Sequence, residues 1–377
     1  MMPIDGSHLE HKIARVQRFF GERGRGKLLL QVQVEGQGLA TPQILPEHMS
    51  AGWRPYIAAK AGEFAAFAAS RQWLDDDWFP VLHPWFGAAE LVAYLPNRVE
   101  FGAETCWTIP EIKSAAQFQP PPFDPGAPLL RLHLDVLHCC RDLAHGRFLV
   151  GLRGTYAPLE VASTVVGSDF FYDLVDRPQD AQRLLAYGVE GATWHLEQQL
   201  GVVGMHAGGT VNGYLQLWMP GRVAGHVGND FACLLSPDMY RRFGQPADAA
   251  VGAHFDLMQM HTHNLGWHQF PSFVAIPKMG MLEIAEDPNV TPTSERLPEL
   301  FALVGETPVV LYMGVRAFRK HLGALALGNA LVRLTEPVGQ AEALELLELA
   351  RRHSSPPRFS SCEEEWLAVP WDTSYGL

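Results

Sequence analysis

The feature that most constrains this chain is an alternation. Short apolar runs of strand length are separated by longer stretches that carry apolar residues at three- and four-residue spacing. That order is the signature of βα units and a parallel sheet rather than of a meander. The spacing predicts strands at 27–34, 78–85, 147–154, 202–209, 254–263, 279–286, 308–315 and 329–337. Eight such units are the number that closes into a TIM (β/α)8 barrel, an α/β fold. Amphipathic stretches at 56–73, 131–146, 178–200 and 339–353 supply covering helices. The last has Glu342, Glu345 and Glu348 ahead of Arg351, Arg352 and His353, the charge order that suits a helix dipole. This reading makes 1–24 an N-terminal extension with a helix, 25–353 one barrel, and 354–377 a tail packed on it. Residues 86–128, rich in Pro and aromatics, read as an elaborated loop after the second strand, of a length that often carries function.

Composition narrows the class further. With 377 residues, 47% hydrophobic and 19% charged, the chain can fill a large core and is not disordered. Its 29 basic and 41 acidic residues give a net charge of −12, which repels nucleic-acid phosphates and anionic lipid. No apolar stretch approaches the roughly 18 residues of a membrane span, and the start is too polar for a secretory signal, so a soluble, cytoplasmic protein is expected. Five scattered cysteines without a C-x-x-C argue for reduced thiols. Sixteen histidines, among them His261 and His263 in MHTHN, are the first hint of chemistry.

Several phrases, in order, carry a resemblance. HVGNDFACLLSPDMYRRFGQP (226–246) is followed by a strand ending in His-x-His and then by MGMLEIAEDPN. Upstream lie FGAAELVAYLPNRVEFGAETCWTIP (86–110) and GLRGTYAPLEVASTVVGSDFFYDLVDRPQDAQRLL (151–185). Together, over about 25–353, these resemble the uroporphyrinogen decarboxylase superfamily. The decarboxylases proper carry an Arg-Gln-Ala-Gly-Arg-Tyr clamp after the first strand, where this chain has VEGQGLATPQ, and their Phe-Ser-Asp phrase is replaced by Asp75-Asp76-Asp77. Bidentate arginines are hard to replace in holding a polycarboxylate, so the resemblance points instead to the metal-dependent methyltransferase branch, which works with corrinoid proteins or without cobalamin.

That resemblance implies a divalent metal held by His261, His263 and Glu283, with zinc first and iron or manganese as alternatives. His263 stands where the branch has a cysteine, and its late cysteine has no match in NALVRLTEP (329–337). The residue pattern agrees: side chains two apart on a strand share a face, and two imidazoles plus a carboxylate leave an open position on zinc. Pocket histidines without a metal are the competing reading. Asp230 matches an acidic residue after the fourth strand and is a candidate proton shuttle or cation stabiliser. Asn264 could orient a substrate carbonyl or carboxylate, and Arg153 could meet a substrate carboxylate. His83, Trp85, His206, Trp218, His226 and Tyr312 are expected to line the mouth and bind substrate. Three functions fit: a metal-dependent methyl or one-carbon transferase, a metal-free decarboxylase, or a non-catalytic barrel binding a small molecule or a corrinoid protein. A homodimer is the expected closed assembly.

Overall fold

The computed structural model describes residues 6–36, 52–103 and 105–354. Its centre is a seven-stranded parallel sheet. β1 (Leu28–Val34), β6 (Thr155–Tyr156), β9 (Val223–Gly228), β10 (Leu257–His263), β11 (Met279–Ala285), β12 (Val309–Met313) and β13 (Ala330–Val338) are ordered β1-β13-β12-β11-β10-β9-β6. β2 (Val81–Leu82) pairs in parallel with β5 (Leu149–Val150), which runs within a few residues into β6. The architecture is α/β and consistent with a TIM-like fold. Helices Trp53–Ser70, Pro128–Ala144, Pro178–Val203 and Gln340–His353 fall where the amphipathic stretches predict them. Among the described residues no helix is long and apolar enough to cross a membrane.

The β1 and β2 strands are linked by carboxylates more than by a ladder. Asp77 N–H donates to the Leu30 carbonyl at 2.8 Å, Leu30 N–H donates to the Asp77 carboxylate at 2.7 Å, and Val32 N–H donates to that of Asp76 at 3.0 Å. Lys12, Arg15 and Arg71 neutralise these acids. The Asp75-Asp76-Asp77 run is therefore a structural joint.

Two expectations are corrected. No strand forms at 202–209: Val202 is buried as part of the helix Pro178–Val203, which stops where Gly204 takes a φ of 70°. The chain then makes an antiparallel hairpin, β7 (Gly209–Asn212) and β8 (Leu217–Pro220), and the parallel strand follows only at β9. Residues 86–128 are also more ordered than a loop, with 3-10 turns and a short hairpin of β3 (Val99–Phe101) and β4 (Cys106–Thr108). The expected tail beyond 354 lies outside the described residues.

The hairpin closes one end of the sheet. With the helix Gly6–Gly21 it packs over the N-terminal ends of the strands, where Val16, Phe19, Leu217, Trp218 and Met219 bury against Leu29, Val223, Met281, Val310 and Leu331. Its tip reaches inward. A Cβ on Gly213 would meet the Leu152 carbonyl at 2.6 Å, and one on Gly151 would meet Gly213 Cα at 2.5 Å, so backbone lies on backbone there. Tyr214 at the tip becomes a floor beneath the C-terminal ends of the strands.

Candidate metal centre

Five neighbouring strands each deliver one polar side chain to a common interior: His226 from β9, His261 from β10, Glu283 from β11, Tyr312 from β12 and Arg333 from β13. His261 stands opposite Glu283 in the β10–β11 register, and Tyr312 opposite Arg333 in that of β12–β13. His226 arrives by a distortion. Its φ is 50°, a left-handed conformation rare for a side-chain-bearing residue, beside a register shift between Met258 and Met260 of β10. Its N–H donates to Gln259 Oε1 at 2.6 Å, which holds the turned backbone.

The result is a cluster of three buried donor atoms. His261 Nδ1 and His226 Nδ1 lie 3.3 and 3.4 Å from Glu283 Oε2, and neither nitrogen makes a hydrogen bond of good geometry. The other carboxylate oxygen is taken by the Tyr312 hydroxyl, which donates to Oε1 at 2.5 Å. Burial alone would raise the Glu283 carboxyl, but His261 and His226 outweigh it and hold it well below the carboxylate range. Burial pulls the His226 imidazole down to about 4. Burial also opposes charge on His261, yet Glu283 and then Asp230 lift it above the ordinary imidazole value.

A second cluster shares His261. Its Nε2 lies 3.5 Å from Asp230 Oδ1, and His263 Nε2 lies 3.5 Å from the same oxygen. The other His263 nitrogen, Nδ1, lies 2.8 Å from Asp287. The structure thus divides the expected His261, His263 and Glu283 set. His261 joins His226 and Glu283 on one side and His263 and Asp230 on the other, and each trio has its ligand atoms within 4.8 Å of one another.

Two cavities lie near the clusters, and neither has His226, His261 or Glu283 among its lining residues. The larger, about 740 Å³, is lined by His83, Trp85, Tyr214, Tyr312 and Arg333, among others. The smaller, about 310 Å³, is lined by Glu160, Asp230, His263 and Asp287 with apolar neighbours. Burial, then the charge of Asp230, pushes the Glu160 carboxyl up to about 8. Burial, then Arg153 and Arg333, hold His83 down at about 3, so it stands neutral in the larger cavity.

Other expected residues have different work. Arg153 is fully buried in an ion pair with Glu90 at 2.9 Å and stacks on Trp85 at 4.1 Å, so its charge is matched within the protein. Asn264 uses both ends of its amide as a brace: it donates to Glu286 at 2.6 Å and accepts from Asp287 N–H at 2.9 Å, fixing the turn that carries Asp287 to His263. Trp218 belongs to the apolar cluster at the opposite end of the strands, where its indole N–H donates to the carbonyl of His206, which lies in the turn before the hairpin. Neither lines either of the two cavities. Asp287, Tyr214, Gln259 and Arg333 were not singled out from the sequence. Asn212-Gly213 is a recognised hairpin signal and could have found the Tyr214 turn.

No protein-family model matches the chain, and no curated protein matches it. Among solved structures, a methyltransferase from Methanosarcina mazei is similar with a TM-score of 0.59 at 14% identity, covering 91% of this chain and 98% of that one. At that identity the likeness concerns the fold.

Proposed function

We propose that this chain is a metal-dependent methyl or one-carbon transferase, built as a closed (β/α)8 barrel, whose divalent cation is held by His226, His261 and Glu283. The observation that carries the reading is the trio itself: two imidazole nitrogens without a hydrogen bond face Glu283 Oε2, which accepts from Gln259 Nε2 at 3.4 Å. Ligands at about 2.0–2.1 Å from a tetrahedral zinc stand about 3.3 Å apart, the separation of Glu283 Oε2 from both imidazole nitrogens. Bound there, the cation would supply Lewis acidity that lowers the pKa of a coordinated nucleophile. The chain does the rest. Tyr312 holds Glu283 Oε1 so that Oε2 faces the histidines, and the Tyr214 ring, 4.2 Å from that of His226, covers the imidazole on one face. Asp230, half-exposed beside His261 Nε2, is placed to take or return a proton at that nitrogen. A corrinoid protein as methyl carrier belongs to the same proposal.

The His263 and Asp230 trio is a second seat for the cation. It is favoured by the Asp287 carboxylate on His263 Nδ1, since metal-bound imidazoles commonly direct their other nitrogen to such an acceptor. One measurement separates the two: metal content by mass spectrometry after reconstitution of tag-free protein with zinc, iron(II) or manganese. The first seat expects about one metal per chain, lost in His261→Ala and Glu283→Gln and kept in His263→Ala. The second expects loss in His263→Ala and retention in Glu283→Gln. A folded wild-type protein that takes up none of the three ions would refute both.

A further inference from the structure

The two cavities differ in charge. Among the described residues the smaller has three carboxylates, Glu160, Asp230 and Asp287, and no Lys or Arg in its wall. Among the described residues the larger has Arg71 and Arg333 and no Asp or Glu, in a chain that carries an excess of 12 negative charges. Arg71 is neutralised by Asp76. Arg333 is not neutralised by any carboxylate among the described residues. Among the described residues it makes two hydrogen bonds, to the Tyr214 carbonyl at 3.2 Å and the Tyr312 oxygen at 3.4 Å, both from Nη1. A guanidinium has five N–H donors in a planar fork, so among the described residues Nε and Nη2 are left to meet a guest.

Beside Arg333 the described wall carries the aromatic side chains Trp85, Tyr214 and Tyr312, and about 740 Å³ lies within the range of a small organic molecule.

We propose that this cavity is the substrate site and that its guest is an aromatic carboxylate: the carboxyl group pairs with the free edge of Arg333, and the ring lies among the aromatic side chains. This deepens the transferase reading by naming its substrate class.

Calorimetric titration with benzoate and its neutral counterpart benzamide tests it, on metal-loaded and on chelator-treated protein. Benzoate is expected to bind at least tenfold more tightly than benzamide. Arg333→Gln is expected to bring benzoate down to the benzamide level, and Arg333→Lys to recover part of the difference. Equal binding of the two probes, binding of neither, or benzoate affinity unchanged in Arg333→Gln would overturn the proposal. Should Arg333→Gln fail to fold, the benzoate and benzamide comparison on wild-type protein decides alone. The chelator-treated arm separates the two ideas. Benzoate selectivity there in a protein that takes up no metal refutes only the metal centre, whereas metal uptake without benzoate selectivity refutes only this assignment.

Discussion

Replacing Asp76 by Ala tests whether the acidic joint between β1 and β2 holds the fold. Asp76 is fully buried, and its carboxylate accepts from Val32 N–H at 3.0 Å and from Arg71 at 2.5 Å, while Lys12 Nζ lies 3.5 Å away. Lys12 and Arg71 are themselves only 3% and 4% exposed, so neither can reach water when its counter-ion goes. Removing one partner from a buried ion pair costs about 3–5 kcal/mol because the charge left behind is uncompensated. With about 2.1 cal/mol/K per residue of unfolding entropy, a chain of 377 residues has about 0.8 kcal/mol/K, so the melting temperature should fall by about 4–6 °C. Differential scanning calorimetry would read it. Asp76→Asn, which keeps the shape and one acceptor, should fall less. Glu63→Ala, which breaks the exposed Lys60–Glu63 pair, should move the midpoint by less than about 1 °C. An Asp76→Ala midpoint as close to wild type as that of Glu63→Ala would refute the reasoning.

Other outcomes follow from single contacts. Burial holds His195 at about 4, below its unfolded value of about 6.5, so the unfolded chain binds the proton first and stability is lost as pH falls through that window. At most about 3 kcal/mol is involved, and urea melts of His195→Phe at pH 7 and pH 4.5 should show a smaller pH difference than wild type. Gly151→Ala should yield little folded protein by circular dichroism, because its Cβ would strike the backbone of the hairpin tip at Gly213. Gly201→Ala, in the helix Pro178–Val203 with open space around it, should raise stability by about 0.5–1 kcal/mol in the same melts. Asn264→Ala should lower stability by about 1–3 kcal/mol, since Glu286 and the Asp287 N–H lose a buried partner; an unchanged urea midpoint would remove the brace.

Most of the sheet was legible because its strands are apolar runs flanked by helices with a clear 3.6 period. The error at 202–209 has a simple cause. An apolar Val-Val pair serves the buried side of a long helix as well as it serves a strand, and local sequence does not distinguish them. The true strand, VAGHVG, hides its nature in two glycines and a histidine. Gly225 packs against Leu152 and Asn212, and Gly228 against Tyr156, contacts made by residues far away in sequence. That His261 and Glu283 come together was legible, because their strands are consecutive and pair in register. His226 was read as cavity wall, because nothing local announces a left-handed histidine in a strand. Arg333 was missed since one charged residue in an apolar strand gives no sign of which side it faces. Arg153 was read as meeting a substrate carboxylate or forming a structural ion pair; its partner, Glu90, comes from the 86–128 segment, whose course the sequence did not reveal.

The inserted hairpin also sets where the fold can vary. With the helix Gly6–Gly21 it covers the N-terminal ends of the strands, and the Tyr214 carbonyl at its tip accepts from Arg333 at 3.2 Å. Because this cover is a turn and not a strand of the parallel sheet, the length and residues of 213–216 can change while the parallel ladder keeps its register.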